Sequence, residues 1–206
     1  MLNRLSPTKL GSSVLVFGSG PAGILLAQLL RENGGCHVVI ASLPGAKLDM
    51  AIALGAADEF VVLSGGAAAA AAVTAKDDDD EEDAALAGLK QKYTHGFDIV
   101  VEATGVAAVL ENSINFVRKG GQLAVFGVCS SKARVTWNPS MILGNQISIV
   151  GSVAEMVSFP ATVQYLESKR VRVDGIVNRT FKLEEWGDCL RSLRDEGTVK
   201  AAVAFD

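Results

Sequence analysis

The sequence predicts a doubly wound α/β fold, a parallel sheet with helices on both faces. Three observations point there. Short β-branched runs alternate with stretches of helical length, which is the pattern of βαβ units. The runs are apolar almost throughout, as strands covered on both faces require. Between the first run and the first helical stretch stands Gly18-Ser19-Gly20-Pro21-Ala22-Gly23, six residues with GxGxxG spacing.

The elements follow in order. SSVLVFG (12–18) is the first strand, and PAGILLAQLLREN (21–33) is its helix, closed by Gly34-Gly35. CHVVIA is the second strand, PGAKLDMAIAL a second helix ended by Gly55, and DEFVVL the third strand. GFDIVVEA (96–103), GGQLAVFGV (120–128) and NQISIVGS (145–152) complete six strands of a Rossmann sheet. Residues 64–83, a poly-Ala run followed by an acidic block, read as a solvated low-complexity insertion that contributes no core strand. After Ser152 the pattern changes. A helix over roughly 155–170, GIVNRTFKLEE, a helix WGDCLRSLRDE and a last strand VKAAVAF look like pieces of a second structural unit. The expected division is a dinucleotide-binding region over 12–152 and a C-terminal segment over 153–206.

Charge excludes some partners. The chain has 206 residues and a net charge of −4, but seven of its 23 acidic residues sit together at 77–83. The remaining 16 face 19 basic residues, a nearly neutral balance that does not point to nucleic acid or a membrane surface. No run approaches the ~18 apolar residues of a spanning helix, and MLNRLSPTKL has no apolar signal region. Cys36, Cys129 and Cys189 form no CxxC pair and read as buried, reduced thiols of a cytoplasmic protein.

The glycine turn carries the chemistry. Gly18 allows a tight turn, Gly20 lets backbone approach a pyrophosphate, and Gly23 lets helix pack on strand. Pro21 and Ala22 open the helix, whose first N–H groups and positive dipole end suit phosphates. A dinucleotide site usually has an Asp or Glu about 20 residues on, to hold the ribose hydroxyls. Here the second strand ends in Ser42, and the next charged residue is Lys47. A carboxylate would repel a 2′-phosphate, whereas a hydroxyl and a cation would hold it. NADP is the expected cofactor, with NAD the alternative and Lys47 as a plain surface residue the competing reading.

VLVFGSGPAGILLAQLL, GFDIVVEATG, VRKGGQLAVFGV, ARVTWNPSMI and GIVNRTFKLEEW together resemble the zinc-type medium-chain alcohol and polyol dehydrogenases, above all the fungal NADP-linked D-arabinitol dehydrogenases. The resemblance runs from Ser12 to Asp206, except around 64–92. It implies that Thr104 and Gly105 flank the cofactor and that Phe126, Gly127 and Val128 line the nicotinamide. It also puts Gly151 and Ser152 near the carboxamide and ribose, and implies a sheet edge at NQISIVGS that pairs between subunits. In that family the catalytic zinc sits on an N-terminal domain, and here eleven residues precede the first strand. His37 and His95 have no partner at metal spacing. The expectation is therefore no catalytic residue and no metal ligand in these residues, with zinc expected in a domain outside them. A polyol would be bound only when that domain is supplied, and the chain by itself would be an inactive nucleotide-binding part.

A metal-free alternative stays open at this stage. Tyr165-x-x-x-Lys169, with Ser152 thirteen residues before the Tyr, resembles the Ser-Tyr-Lys site of short-chain dehydrogenases. Against it, the short-chain glycine pattern would need glycines where Ala22 and Ile24 stand.

Overall fold

The computed structural model describes residues 5, 9–64, 83–153 and 159–205. The strands are β1 (Ser13–Phe17), β2 (His37–Ser42), β3 (Glu59–Val62), β4 (Phe97–Glu102), β5 (Val117–Val125) and β6 (Ser148–Gly151). They form one parallel sheet in the order β3-β2-β1-β4-β5-β6. The chain moves outward from β1 on one side and from β4 on the other. The carboxyl ends of β1 and β4 therefore flank a topological switch point, where such sheets bind ligands.

Alternate residues of each strand feed two cores, because successive side chains point to opposite faces. Val14, Val16, Val38 and Ile40 meet α1 (Pro21–Gly34) and α2 (Ala46–Ala53) through Ile24, Leu26, Leu30, Leu48 and Ala51. Leu15, Phe17, Val39 and Val100 meet the other face, packed by Leu86 and Leu89 of α3 (Ala84–Lys92) and Leu110 of α4 (Ala107–Ser113). Among the described residues, no helix is long and apolar enough to cross a membrane.

Three expectations need correction. The fifth strand starts at Val117 rather than at 120, with a register shift where Val117 pairs Phe97 and Gln122 pairs Ile99. The five-residue advance on β5 against two on β4 is a bulge, and Gly120 with its φ of 72° lies within it. The sixth strand is shorter than 145–152, because Asn145 ends α5 (Pro139–Asn145) and Gln146 adopts a left-handed conformation. The acidic block also ends in a structural residue. Asp83 Oδ1 accepts from the Ala85 N–H, capping α3, and Oδ2 accepts from the Ser64 N–H, both at 2.8 Å. The remaining insertion, 65–82, lies outside the described residues.

Helix α3 is also anchored at its other end. Lys92 pairs with Glu59 at the start of β3 and holds that carboxyl below its ordinary value. The Tyr93 hydroxyl donates to Glu59 at 3.2 Å, and its pKa is pushed up to about 12 by burial and then by the Glu59 charge.

Beyond β6, α6 (Phe159–Glu167), β7 (Val177–Phe181), α7 (Trp186–Ser192) and β8 (Lys200–Val203) follow, while 154–158 of the expected long helix lie outside the described residues. β7 and β8 pair parallel in a second, two-stranded sheet. This unit is fastened to α1. The Gln28 amide donates to the Arg172 carbonyl at 3.0 Å, and its oxygen accepts from the Arg172 N–H at 2.8 Å. Ile176 and Val199 join the core of the α1 face.

Candidate functional site

The carboxyl ends of β1, β2 and β4 open into a pocket of about 430 Å³. It brings together Gly18, Gly20, Ser42, Lys47 and Thr104 from the sequence reading.

The glycine turn has three glycines with three different causes. Gly18 has φ 102°, a conformation that L side chains rarely adopt, and the methyl of Thr104 lies over it. At Gly23 an added methyl would fall far inside van der Waals contact distance of the Gly18 carbonyl oxygen, so α1 meets the turn only with glycine there. Gly20 has φ −64°, and a Cβ on it would meet nothing within 4 Å. The fold gives no reason for glycine at 20, but a ligand approaching that backbone would. Gly20 is also the N-cap of α1, with no side-chain cap bond and no acidic residue in the first turn. Pro21 contributes no N–H, so the Ala22 and Gly23 amides are the open donors of the first turn.

The end of β2 is uncharged. Ser42 Oγ lies 2.7 Å from the hydroxyl of Ser19, a residue only 2% exposed. Lys47 is exposed in the first turn of α2 and makes no ion pair among the described residues. A cation at that helix end gains nothing from the dipole. Both the cation and the dipole attract an anion to the same mouth of the pocket.

Thr104 and Gly105 are held by Glu102, a residue the sequence reading passed over inside EATG. Glu102 is fully buried at the end of β4. Its Oε1 accepts from the Thr104 N–H at 2.6 Å, from the Thr104 hydroxyl and from the Gly105 N–H at 2.9 Å. The Thr104 oxygen in turn accepts from the Val106 N–H at 3.0 Å. Its proton is committed to Glu102, so Thr104 has no hydroxyl donor left for a ligand. The Glu102 carbonyl accepts from the Phe126 and Gly127 N–H groups at 3.0 and 2.8 Å. A Cβ at Gly127 would come 2.6 Å from Glu102 Oε2 and would crowd Gly105. Glu102 thus holds both loops, the one after β4 through its carboxylate and the one after β5 through its backbone carbonyl. Phe126, Gly127 and Val128 stand beside the pocket rather than in its wall, with Val128 88% exposed. Gly151 and Ser152 lie farther along, at the sheet edge, where Ser152 Oγ is buried and unpartnered.

The pocket wall also contains residues without a local signal: Leu63, Asp83, Leu86, Val106, Val109 and Glu196. A charged residue in an apolar central strand was the signal for Glu102. Nothing near Glu196 announced it.

The Ser-Tyr-Lys alternative does not assemble. The Tyr165 hydroxyl donates to Asn33 Oδ1 at 2.5 Å, at the C-terminal end of α1. The glycine turn is at the other end of that helix, twelve residues or about 18 Å away at 1.5 Å per residue. Lys169 lies beyond α6 in a left-handed turn with φ 54°, off the Tyr165 helix face. Among the described residues, no three His, Cys, Asp or Glu side chains converge to hold a metal ion. The three cysteines are unpaired. Burial, and then the Glu102 charge, push the Cys129 thiol up, so it remains protonated and unreactive.

A family model described as zinc-binding dehydrogenase matches residues 21–168. D-arabinitol dehydrogenase 1 of Uromyces fabae is 44% identical over 202 residues, covering 98% of this chain and 54% of that protein. D-altritol 5-dehydrogenase of Agrobacterium fabrum is 31% identical over 173 residues, 84% of this chain and 44% of that protein. Among solved structures, a zinc-binding dehydrogenase from Sinorhizobium meliloti bound to NADP superposes with a TM-score of 0.78 at 25% identity, over 97% of this chain and 54% of that one. The chain spans about half the length of the relatives it matches.

Proposed function

Since the chain belongs to the zinc-binding dehydrogenase family, we propose that it is the NADP(H)-holding part of a polyol dehydrogenase of the D-arabinitol type. The observation that carries this reading is the neutral, cation-flanked end of β2 beside the glycine turn. Ser42 and Lys47 take the 2′-phosphate, and the Ala22 and Gly23 amides with Gly20 receive the pyrophosphate. The loops that Glu102 ties together, at Thr104–Gly105 and Phe126–Val128, seat the nicotinamide, with Gly151 and Ser152 toward its carboxamide and ribose. The bound nicotinamide supplies the hydride acceptor for a polyol and the donor for its ketose. The likeness to D-arabinitol dehydrogenase 1 supports the substrate class. Among the described residues no metal ligand set converges, so in this reading the zinc ligands would belong to the catalytic domain outside them.

Residues 12–152 form the dinucleotide region in this reading. The segment 153–206, with Leu183, Trp186, Leu190 and Leu193 about half exposed, belongs to a catalytic domain of which it is one part. The open edge at β6 suits pairing with a second copy. Three unpaired cysteines fit a reducing, cytoplasmic location.

Fluorescence titration tests the cofactor assignment on this chain directly. NADPH should bind at least about tenfold more tightly than NADH, since a charge-assisted contact contributes about 1.5–3 kcal/mol. Ser42→Asp should reverse the order by repelling the 2′-phosphate. Equal wild-type affinities would return Lys47 to the surface and remove the NADP assignment.

A further inference from the structure

Ser19 is the one residue of the glycine turn whose side chain carries a hydroxyl, and it is almost fully buried. Its oxygen lies 2.7 Å from that of Ser42, and neither hydroxyl has another hydrogen bond among the described residues. Both residues line the pocket with Lys47.

We propose that Ser19 is a positioning residue for cofactor choice. Its hydroxyl donates to the Ser42 oxygen, which aims the remaining proton of the pair at the 2′-phosphate. The inference rests on the reading of this pocket as an NADP(H) site.

Proton counting sets the direction. Each hydroxyl has one proton and two lone pairs, so a bonded pair has one proton left to give. If Ser42 donated to Ser19, the leftover proton would sit on the buried oxygen with no acceptor among the described residues, which is unfavourable. If Ser19 donates to Ser42, the leftover proton sits at the half-buried strand end, facing the pocket beside Lys47. A dianionic phosphate brings only acceptors and needs that proton. A ribose hydroxyl brings a donor of its own and can satisfy Ser42 in either sense. Losing Ser19 therefore weakens the phosphate-bearing cofactor selectively, although Ser19 itself need not touch it.

A double-mutant cycle on the intact chain tests this, with NADPH and NADH titrated into wild type, Ser19→Ala, Ser42→Ala and the double variant. Ser19→Ala should weaken NADPH about fivefold, as expected for one lost hydrogen bond, and leave NADH within about twofold. In the Ser42→Ala background the same change should have no further effect. Ser19→Cys keeps a γ atom, though a larger one, and donates weakly, so it should reproduce the selective loss, and an unchanged urea midpoint in both variants excludes a folding defect as its cause. Equal weakening of both cofactors, or an additive loss in the Ser42→Ala background, would overturn the positioning role. A wild type without preference for NADPH would overturn the cofactor reading and the proposal with it. That result is read before any variant, so the two failures are told apart.

Discussion

The two halves of the sheet are finished differently. On the β1-β2-β3 side, α1 and α2 bury their apolar faces, and the pocket between the strand ends is walled by the chain's own residues. On the β4-β5-β6 side, β4 is as deeply buried, but α5 buries no residue and three of the four residues of β6 are exposed. In the proposed reading the first half receives the adenosine phosphates, with Thr104, Val106 and Val109 closing the pocket from the other side. The second supplies one firmly held junction, Glu102 with Gly105 and Gly127, and is otherwise open. Affinity for the proposed cofactor should therefore concentrate in the first half.

Gly23→Ala should break the first half outright. The clashing atom is a backbone carbonyl oxygen, which cannot swing away as a side chain could. NADPH affinity should fall by at least about 100-fold and stability by about 1–3 kcal/mol, read by fluorescence titration and urea unfolding. An unchanged Kd would mean that α1 and the turn can separate without cost, and that phosphates are held elsewhere.

A smaller effect sharpens the contrast. Gly127→Ala introduces similar crowding in the other half, against Gly105 and Glu102. NADPH should weaken about tenfold, or 1.4 kcal/mol. A ligand that lacks nicotinamide, 2′-phospho-ADP-ribose, should bind as before. Equal losses for both ligands would show that the halves do not act separately.

The smallest effect concerns the insertion. The Ser64 N–H and the Asp83 carboxylate already meet, and α3 is anchored independently through Leu86, Leu89 and the Lys92–Glu59 pair. Replacing 65–82 with two glycines should change stability by less than about 1 kcal/mol, because closure entropy varies slowly with loop length. NADPH affinity should stay the same, since Asp83 and Leu86 remain in the pocket wall. A large drop in melting temperature would show that the segment packs on the domain.

Legibility in the sequence followed the range of the interactions. The β1-turn-α1 unit, the neutral end of β2 and the existence of six strands rest on spacing and periodicity within a few residues, and all were readable. The Ser19–Ser42 pair, the capping role of Asp83 and the arrival of Glu196 at the pocket depend on which strand ends become neighbours. Glu102 was hidden in another way. EATG was noticed for its likeness to known enzymes, while the physical oddity, a buried carboxylate in a central strand, lay two residues before Thr104. The Tyr165–Lys169 alternative fails on a local fact, because the helix that would put both on one face stops at Glu167.

The Gln28 amide joins groups 144 positions apart in sequence. Its half of the contact sits on a helix made from local contacts beside the first strand. The other half has to return across the whole length of the sheet. A contact between such distant positions meets most of its loop-closure entropy before it gains anything, so it belongs late in the order of folding. The C-terminal sheet is thus assembled onto a surface that already exists, and the clamp governs how quickly the finished molecule comes apart more than how quickly it forms.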